Sequence, residues 1–397
     1  IALLLPPSIH DSTETPMEID LLITGGTVID PSQNLHEVRE VGIYGTQIVD
    51  LESLESYSAK KILDASGLIV TPGLIDLHAH VYKRHVPISI DADATSLAGG
   101  VTTVLDAGSA GSYNFEGFKH DVIDRVDTEV LGLVNLSCIG LVAAHYGELM
   151  DARYADPDGV VETIRRFPNQ AVGVKIRAGA HIIGSGQQGW DNFKKAVQAA
   201  RDSETWLMIH IGECPMALPE MMPHLQPGDC ITHCFKGGST TVLNQEGRIH
   251  SELATARDNG IIFDIGHGFG SFHWEIAEAA VEQGFIPTTI STDLHLMNLH
   301  GPVFDMPTTM SKFLHLGVSL DDVIDMSTTQ PARVLGRAGD LGTLAPGTVA
   351  DITLLEKHDG QFAYTDSYDQ TRTGREKLTA VGIVRRGDLH FNSNRTN

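Results

Sequence analysis

Eight short apolar runs recur along the middle of the chain, and loop or amphipathic material separates each run from the next. Two of the intervening segments, DNFKKAVQAARDSE and HWEIAEAAVEQG, have the apolar spacing of surface helices. Fully buried parallel strands are near-continuous apolar runs, and strands that alternate with helices predict a parallel sheet. Eight such units predict a closed (β/α)8 barrel of the TIM type. The runs are GLIDLHAH (73–80), VTTVLDAG (101–108), VLGLVNLSCIG (130–140), AVGVKIRAG (171–179), WLMIHIGE (206–213), DCITHCF (229–235), GIIFDIGHG (260–268) and TTISTDLH (288–295).

Shorter alternating runs, rich in turn residues, flank this region at both ends. MEIDLLITGGTVIDP begins at Met17 and places two β-rich runs around a Gly-Gly pair, and GTLAPGTVADITLLE has the same style near the other end. We therefore expect an α/β protein with one small β-sandwich domain, built from residues 17–71 plus 343–397. The barrel, residues 72–342, is inserted between these two segments. Residues 1–16 are expected to be a disordered leader, translated upstream sequence or a cloning remnant.

Composition narrows the functional classes. The formal charge of -23 argues against a nucleic-acid partner or an anionic membrane surface. No apolar run approaches the roughly 18 residues that span a bilayer. Four cysteines in 397 residues do not form a disulfide framework and are expected to be reduced thiols. We expect a cytoplasmic homo-oligomer that acts on a small-molecule substrate.

Polar side chains fall where the predicted barrel strands end, and barrel active sites lie at that end. The two histidines of HAH are two residues apart, so both project from one face of the strand, roughly 7 Å apart along the backbone. Imidazole nitrogens and carboxylate oxygens are ligands for divalent metals. A single histidine at a strand end is usually a hydrogen-bonded structural residue, but the recurrence on five runs favours a metal site. The candidate residues are His78, His80, Lys175, His210, His233 and Asp293.

Lys175 lies inside the apolar run VGVKI, where an ammonium ion is costly to bury. Burial lowers the pKa of a lysine and yields a neutral amine. A neutral amine can add CO2 to form a carbamate, an anionic group with two oxygens that can bridge two metals. The alternative is a salt bridge to an inward carboxylate, for which Asp76, Asp106 and Asp264 are the candidates.

These motifs resemble the amidohydrolase superfamily of binuclear metal hydrolases. The resemblance rests on PGLIDLHAH, the lysine on the fourth run, histidines on the next two runs and STDLH, and it covers about residues 17–390. Further stretches, DAGSAGSYNF, GDCITHCFKG and FDIGHGFGSF, are similar to a deacetylase or dihydroorotase-like branch. The resemblance implies that His78, His80 and Asp293 hold one metal and that His210 and His233 hold a second. Carboxylated Lys175 and a hydroxide would then bridge two divalent ions, by default Zn2+, with Asp293 as general base and then acid.

Four further residues are candidates for substrate contact. Arg177 shares a strand face with Lys175 and suits a carboxylate, although an ion pair between strand ends is the alternative. His267 lies between two glycines at the end of the seventh run and is either a substrate contact or a loop histidine. Tyr82 stands where similar dihydroorotases carry an arginine that holds the substrate carboxylate, which weakens a dihydroorotase assignment. His295 is the last residue of the eighth run.

The expected activity is hydrolysis of an amide or ester bond in a small carboxylate-bearing substrate, as in an N-acyl amino acid deacetylase or an acyl hydroxy-acid esterase. A cyclic amidohydrolase of the dihydroorotase or hydantoinase type is the alternative, since ring opening uses the same metal centre. A deaminase ranks third, because most such members keep one metal and Lys175 indicates a pair. The alternative that is not an enzyme is a non-catalytic scaffold protein of the same fold. Metal analysis would test it.

Overall fold

The computed structural model describes residues 16–391, so the predicted leader lies, apart from Pro16, outside the described residues. The strands are β1 (Met17–Thr24), β2 (Thr27–Asp30), β3 (Leu35–Val38), β4 (Val41–Tyr44), β5 (Gln47–Val49), β6 (Tyr57–Asp64), β7 (Ile69–Pro72), β8 (Leu74–Ala79), β9 (Val101–Asp106), β10 (Glu129–Asn135), β11 (Ala171–Arg177), β12 (Trp206–His210), β13 (Cys230–Thr232), β14 (Ile262–Asp264), β15 (Ile352–Thr365), β16 (Thr371–Arg385) and β17 (Asp388–Phe391).

Strands β8 to β14 form one parallel sheet in chain order, with each strand paired to the next. Every residue of β8 and of β9 is buried, which is why these strands are near-continuous apolar runs in the sequence. Chain order and parallel pairing bring the carboxyl ends of all these strands to one end of the sheet. The predicted TIM-type barrel is confirmed.

The eighth run, TTISTDLH, closes the barrel without forming a regular strand. It meets its two neighbours through single parallel bridges, Asp264 with Thr289 and Ala79 with Leu294. Side chains replace the missing ladder, because the carboxylate of Asp76 accepts from both the backbone N–H and the hydroxyl of Thr292. The prediction of eight strands therefore holds for the closure of the barrel, but not for the regularity of its last member.

The two ends of the chain form a β-sandwich. A four-stranded sheet has the order β5-β4-β1-β6, and a six-stranded sheet has the order β17-β16-β15-β7-β2-β3. Apolar side chains of both sheets, such as Ile23 and Ile43 from one and Val70 and Ile352 from the other, share one buried core. The long hairpin of β15 and β16 extends beyond this core along the barrel, where α8 packs against β16.

The helices are α1 (Phe115–Phe118), α2 (Pro157–Arg166), α3 (Ala180–Ile183), α4 (Gly186–Asp202), α5 (Leu218–Met221), α6 (Ser251–Asp258), α7 (Trp274–Glu282), α8 (Met306–His315), α9 (Leu320–Asp325) and α10 (Thr329–Val334). The two predicted amphipathic segments coincide with α4 and α7. No helix between residues 16 and 391 is long and apolar enough to cross a membrane. All four cysteines are free thiols.

Candidate metal centre

The strand ends bring the six predicted metal-site residues together inside the barrel. His78 lies on β8, Lys175 on β11 and His210 at the end of β12. His80 and His233 lie just beyond β8 and β13, and Asp293 lies in the irregular eighth run. His233 (φ 73°) and Asp293 (φ 49°) have left-handed backbone conformations. Non-glycine residues adopt this conformation at a cost of about 1–3 kcal/mol, and such strain concentrates at functional sites.

His78, His80 and Asp293 form one cluster, with ligand atoms within 4.8 Å of one another. Asp293 Oδ1 lies 3.5 Å from His78 Nε2 and 3.2 Å from His80 Nε2. The directions do not meet hydrogen-bond geometry, so this buried oxygen has no hydrogen-bond partner among the described residues. Two imidazole nitrogens around an unpartnered carboxylate oxygen fit a divalent cation.

Neighbouring groups fix which nitrogen of two histidines carries the proton. The Thr232 hydroxyl donates to Asp264 Oδ2, so its oxygen accepts from His78 Nδ1 at 2.9 Å. The carbonyl of Gly266 accepts from His233 Nδ1 at 2.6 Å. Both histidines therefore keep a lone pair on Nε2, the atom that faces the centre. Outer partners of this kind orient metal ligands in proteins.

The second cluster pairs His210 Nδ1 with His233 Nε2 at 2.7 Å. Lys175 lies between the two clusters, with Nζ 3.4 Å from His78 Nε2 and 3.2 Å from the sulfur of Met208. Because the lysine is buried, its pKa falls to about 8. At this pKa roughly a tenth of the lysine is the neutral amine at pH 7, the form that adds CO2, whereas an ordinary lysine is almost wholly protonated.

The salt bridge considered as an alternative for Lys175 is not present among residues 16–391. The nearby buried carboxylates are each occupied by other donors. Asp76 accepts from Thr292 and from the backbone N–H of His78, Asp106 accepts from the N–H groups of Val81 and Ser109, and Asp264 accepts from three hydroxyls. Lys175 is therefore a buried amine without an anionic protein partner in the described structure.

Burial sets the protonation of the ligands. It lowers the pKa of His78 and His210 well below the usual range and that of His233 to about 4, so these imidazoles are neutral at pH 7. Burial raises the pKa of Asp293, but the opposing effect of His80 and His295 is larger. The net pKa is below the usual range of an aspartate, so Asp293 is a carboxylate at pH 7. Neutral imidazoles and an ionised carboxylate are the forms that bind divalent metals. The donor set of His78, His80 and Asp293 fits one such ion.

Two of the four predicted substrate contacts have a polar atom without a hydrogen bond to the described residues. Arg177 uses Nε and Nη2 for the buried carboxylate of Glu148, at 2.7 and 2.6 Å, which leaves Nη1. His295 Nδ1 accepts from the N–H of Met297 at 3.2 Å, so its proton is on Nε2. The His295 ring lies 6.4 Å from the ring of His80, which places it beside the first cluster.

The other two predicted contacts are engaged by the protein. The Tyr82 hydroxyl donates to the carbonyl of Asn114 at 3.2 Å, and its ring is buried. His267 contacts Gly268 O through Nδ1 and Lys312 Nζ through Nε2. Sequence reasoning missed Glu148 and Lys312. Lys312 had one signal in the sequence, since it is the one charged residue in the segment MPTTMSKF.

Comparison with known proteins gives one family model and several relatives that cover most of the chain. The model of the amidohydrolase family matches residues 251–382. A deacetylase of Agrobacterium fabrum is 34% identical over 362 residues, which cover 90% of this chain and 88% of the relative. A deacetylase of Enterococcus faecalis is 32% identical over 380 residues, covering 95% of this chain and all of the relative (100%).

Two solved structures are similar over nearly the whole chain. A structure described as an adenine deaminase has a TM-score of 0.87 and 32% identity, covering 94% of this chain and 100% of that chain. A structure described as a dihydroorotase has a TM-score of 0.84 and 31% identity, covering 94% and 99%. The names differ in the reaction that they state, although the folds agree.

Proposed function

The chain belongs to the amidohydrolase superfamily and is a metal-dependent hydrolase, and we propose that it cleaves an amide or ester bond in a small carboxylate-bearing substrate. The proposed substrates are N-acyl amino acids and acylated hydroxy acids. The observation that supports this proposal most is the convergence of four imidazoles, a carboxylate and a buried amine at one end of the barrel. Relatives named as deacetylases cover most of this chain and support the same class.

The proposed roles follow from the two clusters. His78, His80 and Asp293 would hold one ion, His210 and His233 the other, and a carbamate on Lys175 would lie between them. When bound, the ions would supply a water acidic enough to attack at neutral pH and would polarise the scissile carbonyl. Asp293 would offer Oδ1, which has no hydrogen-bond partner in the described residues, to the ion. Its carboxylate is also proposed to accept a proton from the water and then to donate it to the leaving nitrogen or oxygen.

Arg177 is proposed to bind the substrate carboxylate through Nη1. The bidentate pair with Glu148 holds the guanidinium plane, so little conformational entropy is lost when a ligand binds. Arg177 lies directly opposite His210 in the pairing of β11 with β12, which places it at the level of the second cluster. The Nε2 proton of His295 is the complementary donor on the other side of the barrel.

Ring opening is the second candidate function, because a structure described as a dihydroorotase is similar over nearly the whole chain. The same metal centre would serve either reaction. Tyr82 is the observation against it, since a buried phenol bonded to a backbone carbonyl replaces the arginine that similar dihydroorotases place there. Deamination ranks below both, because a buried amine without an anionic partner in the described structure suits a carbamate-bridged pair.

Two measurements test the proposal. Metal analysis of protein expressed in metal-replete medium should give roughly two equivalents per chain, and no bound metal would contradict a hydrolase of this kind. A release assay should cover N-acyl amino acids of both hands, acyl hydroxy acids, hydantoins, dihydroorotate and adenine. Turnover of the acyl compounds is expected. Turnover confined to the cyclic compounds or to adenine would refute the proposed substrate class.

A further inference from the structure

Lys312 is a buried lysine outside the metal centre. Its side chain is 1% exposed on α8, and no ion pair among the described residues includes it. Its Nζ instead contacts three acceptors, which are His267 Nε2 at 2.6 Å, Thr365 O at 2.7 Å and Pro302 O at 3.0 Å. Burial lowers the pKa of Lys312 to about 7, and three acceptors match the three N–H groups of its ammonium form.

This arrangement determines the state of the His267 ring. The carbonyl of Gly268 can only accept, so the ring carries a proton on Nδ1, which donates to it at 3.0 Å. Burial lowers the pKa of His267, so the ring is neutral and its Nε2 accepts from Lys312 Nζ. Phe272 stacks on the ring, with centroids 4.7 Å apart and planes within 9°. Both ring nitrogens are thus occupied by the protein. Direct hydrogen bonding of His267 to a substrate, which the sequence suggested, would require one of these contacts to break.

The segment held in this way lies against the proposed acid–base residue. The N–H groups of His267 and Gly268 donate to the carbonyls of Ser291 and Thr292, the two residues before Asp293. A Cβ on Gly268 would come within 2.6 Å of Asp293 Oδ2. The backbone at Gly268 is therefore one wall of the space that the Asp293 carboxylate occupies.

The hairpin of the β-sandwich domain reaches the same segment. Thr365 supplies one of the carbonyls that Lys312 contacts, and the next turn of the hairpin contains Ser367. The Ser367 hydroxyl donates to Gly268 O at 3.1 Å, and its N–H donates to Phe272 O at 3.0 Å. Lys312 thus joins α8, the hairpin and the loop after β14 at one point beside Asp293.

We propose that Lys312 is a positioning residue, which acts through His267 to hold the His267–Gly268 segment against the Asp293 carboxylate. The catalytic consequence rests on the proposed hydrolase function, whereas the state of the His267 ring does not. Without Lys312, Nε2 loses its donor, the ring is free to change tautomer or rotamer, and the wall beside Asp293 loosens. Misplacement of a catalytic group by about 1 Å can cost roughly 100-fold in rate.

The kinetic test compares Lys312→Met with Lys357→Met in the metal-loaded protein. Methionine keeps the length of the side chain, and Lys357 is a partly exposed lysine on β15 paired with Glu376. Lys312→Met should lower kcat roughly tenfold or more with little change in KM, because orientation rather than binding is lost. In a His267→Phe background the same substitution should change kcat by less than about twofold, since its partner is already absent. An equal loss in both backgrounds would overturn the proposal, as would a Lys312→Met enzyme with the kcat of the Lys357→Met control.

A measurement that needs no activity separates this inference from the proposed function. In protein labelled with 15N-histidine, the His267 signal, identified by its loss in His267→Phe, should show a neutral ring protonated on Nδ1. Lys312→Met should change that tautomer or broaden the signal, and Lys357→Met should not. A His267 ring protonated on Nε2 or on both nitrogens in the unaltered protein would overturn the proposal, even if Lys312→Met does not fold or no substrate is turned over.

Discussion

The lone pairs at the metal centre are set by residues that do not face it. Thr232 and the carbonyl of Gly266 accept hydrogen bonds from Nδ1 of His78 and His233, so the lone pair of each ring is on Nε2. The sequence indicated the histidines through their spacing, but it gave no sign of which hydroxyl or carbonyl would meet each ring. That depends on contacts between strands far apart in the chain.

Thr232→Val tests this outer contact. Valine has the shape of threonine but cannot accept from His78 Nδ1, so the ring loses its orientation and metal affinity or kcat should fall roughly 10- to 100-fold. Thr103→Val is the matched control, because the Thr103 hydroxyl is buried in β9 without a hydrogen-bond partner in the described structure. Metal titration and kcat check both variants. Equal behaviour of the two would mean that the hydroxyl of Thr232 has no role in the site.

Asp293→Asn tests the acid–base assignment. Asparagine keeps the size of the side chain but cannot take up the proton, so kcat should fall by roughly 10²- to 10⁴-fold while the fold is kept. Circular dichroism and the thermal midpoint establish that the variant is folded. A folded variant with a near-normal rate would show that another group moves the proton.

Lys175→Ala tests the carbamate. The variant should lose bound metal, because the anionic group between the two clusters is absent, and activity should fall with it. Bicarbonate with a short carboxylic acid should restore part of the activity, since the acid can occupy the place of the carbamate. Metal content per chain is measured with and without the additives. Full metal occupancy in the variant without them would argue that Lys175 is not a ligand.

At the scale of elements, the sequence predicted the repeating strand and helix units of the barrel, but not its irregular strand and loops. The position of TTISTDLH after α7 indicated an eighth barrel unit, but the side chain of Asp76 replaces its ladder, and no periodicity reveals that. Arg177 was readable as a polar residue on a strand end, whereas Glu148 lies 29 residues earlier in an irregular loop after β10. Pairings of this kind follow from how loops pack, which local pattern does not encode.

Gly268→Ala tests whether the loop after β14 forms a wall at Asp293. Gly268 has φ +59°, so alanine there is strained by about 1 kcal/mol, and its Cβ would also press on the Asp293 carboxylate. Gly284→Ala is the matched control, since Gly284 has φ +74° but open space around it. Both variants should lose thermal stability, Gly268→Ala at least as much as the control, and only Gly268→Ala should lose kcat, by roughly tenfold or more. An undiminished kcat for Gly268→Ala would place the wall elsewhere.

At the scale of the whole molecule, charged residues connect the β-sandwich to the end of the barrel opposite the metal centre. Arg385 on β16 contacts both carboxylate oxygens of Asp351 at 3.0 and 2.8 Å and the carbonyl of Asp127 at 2.8 Å. It also lies 3.3 Å from Glu129, the first residue of the barrel strand β10. The chain enters and leaves the barrel beside the sandwich, so these contacts tie the two parts where the chain already joins them.

Arg385→Met should destabilise this junction without changing the chemistry. Its side chain and that of Asp351 are only 7% and 5% exposed, so its loss leaves a carboxylate buried without its counter-ion. Breaking such a pair costs about 3–5 kcal/mol, and the thermal midpoint should fall clearly. Arg386→Met is the control, because Arg386 contacts the same Glu129 but is 58% exposed, and a surface pair contributes at most about 1 kcal/mol.

Below its melting temperature Arg385→Met should keep the kcat of the unaltered protein, since Glu129 begins a strand whose other end faces the site. A folded Arg385→Met enzyme with an impaired kcat would show that the sandwich influences the metal centre from this end of the barrel, and not only through the hairpin at Ser367.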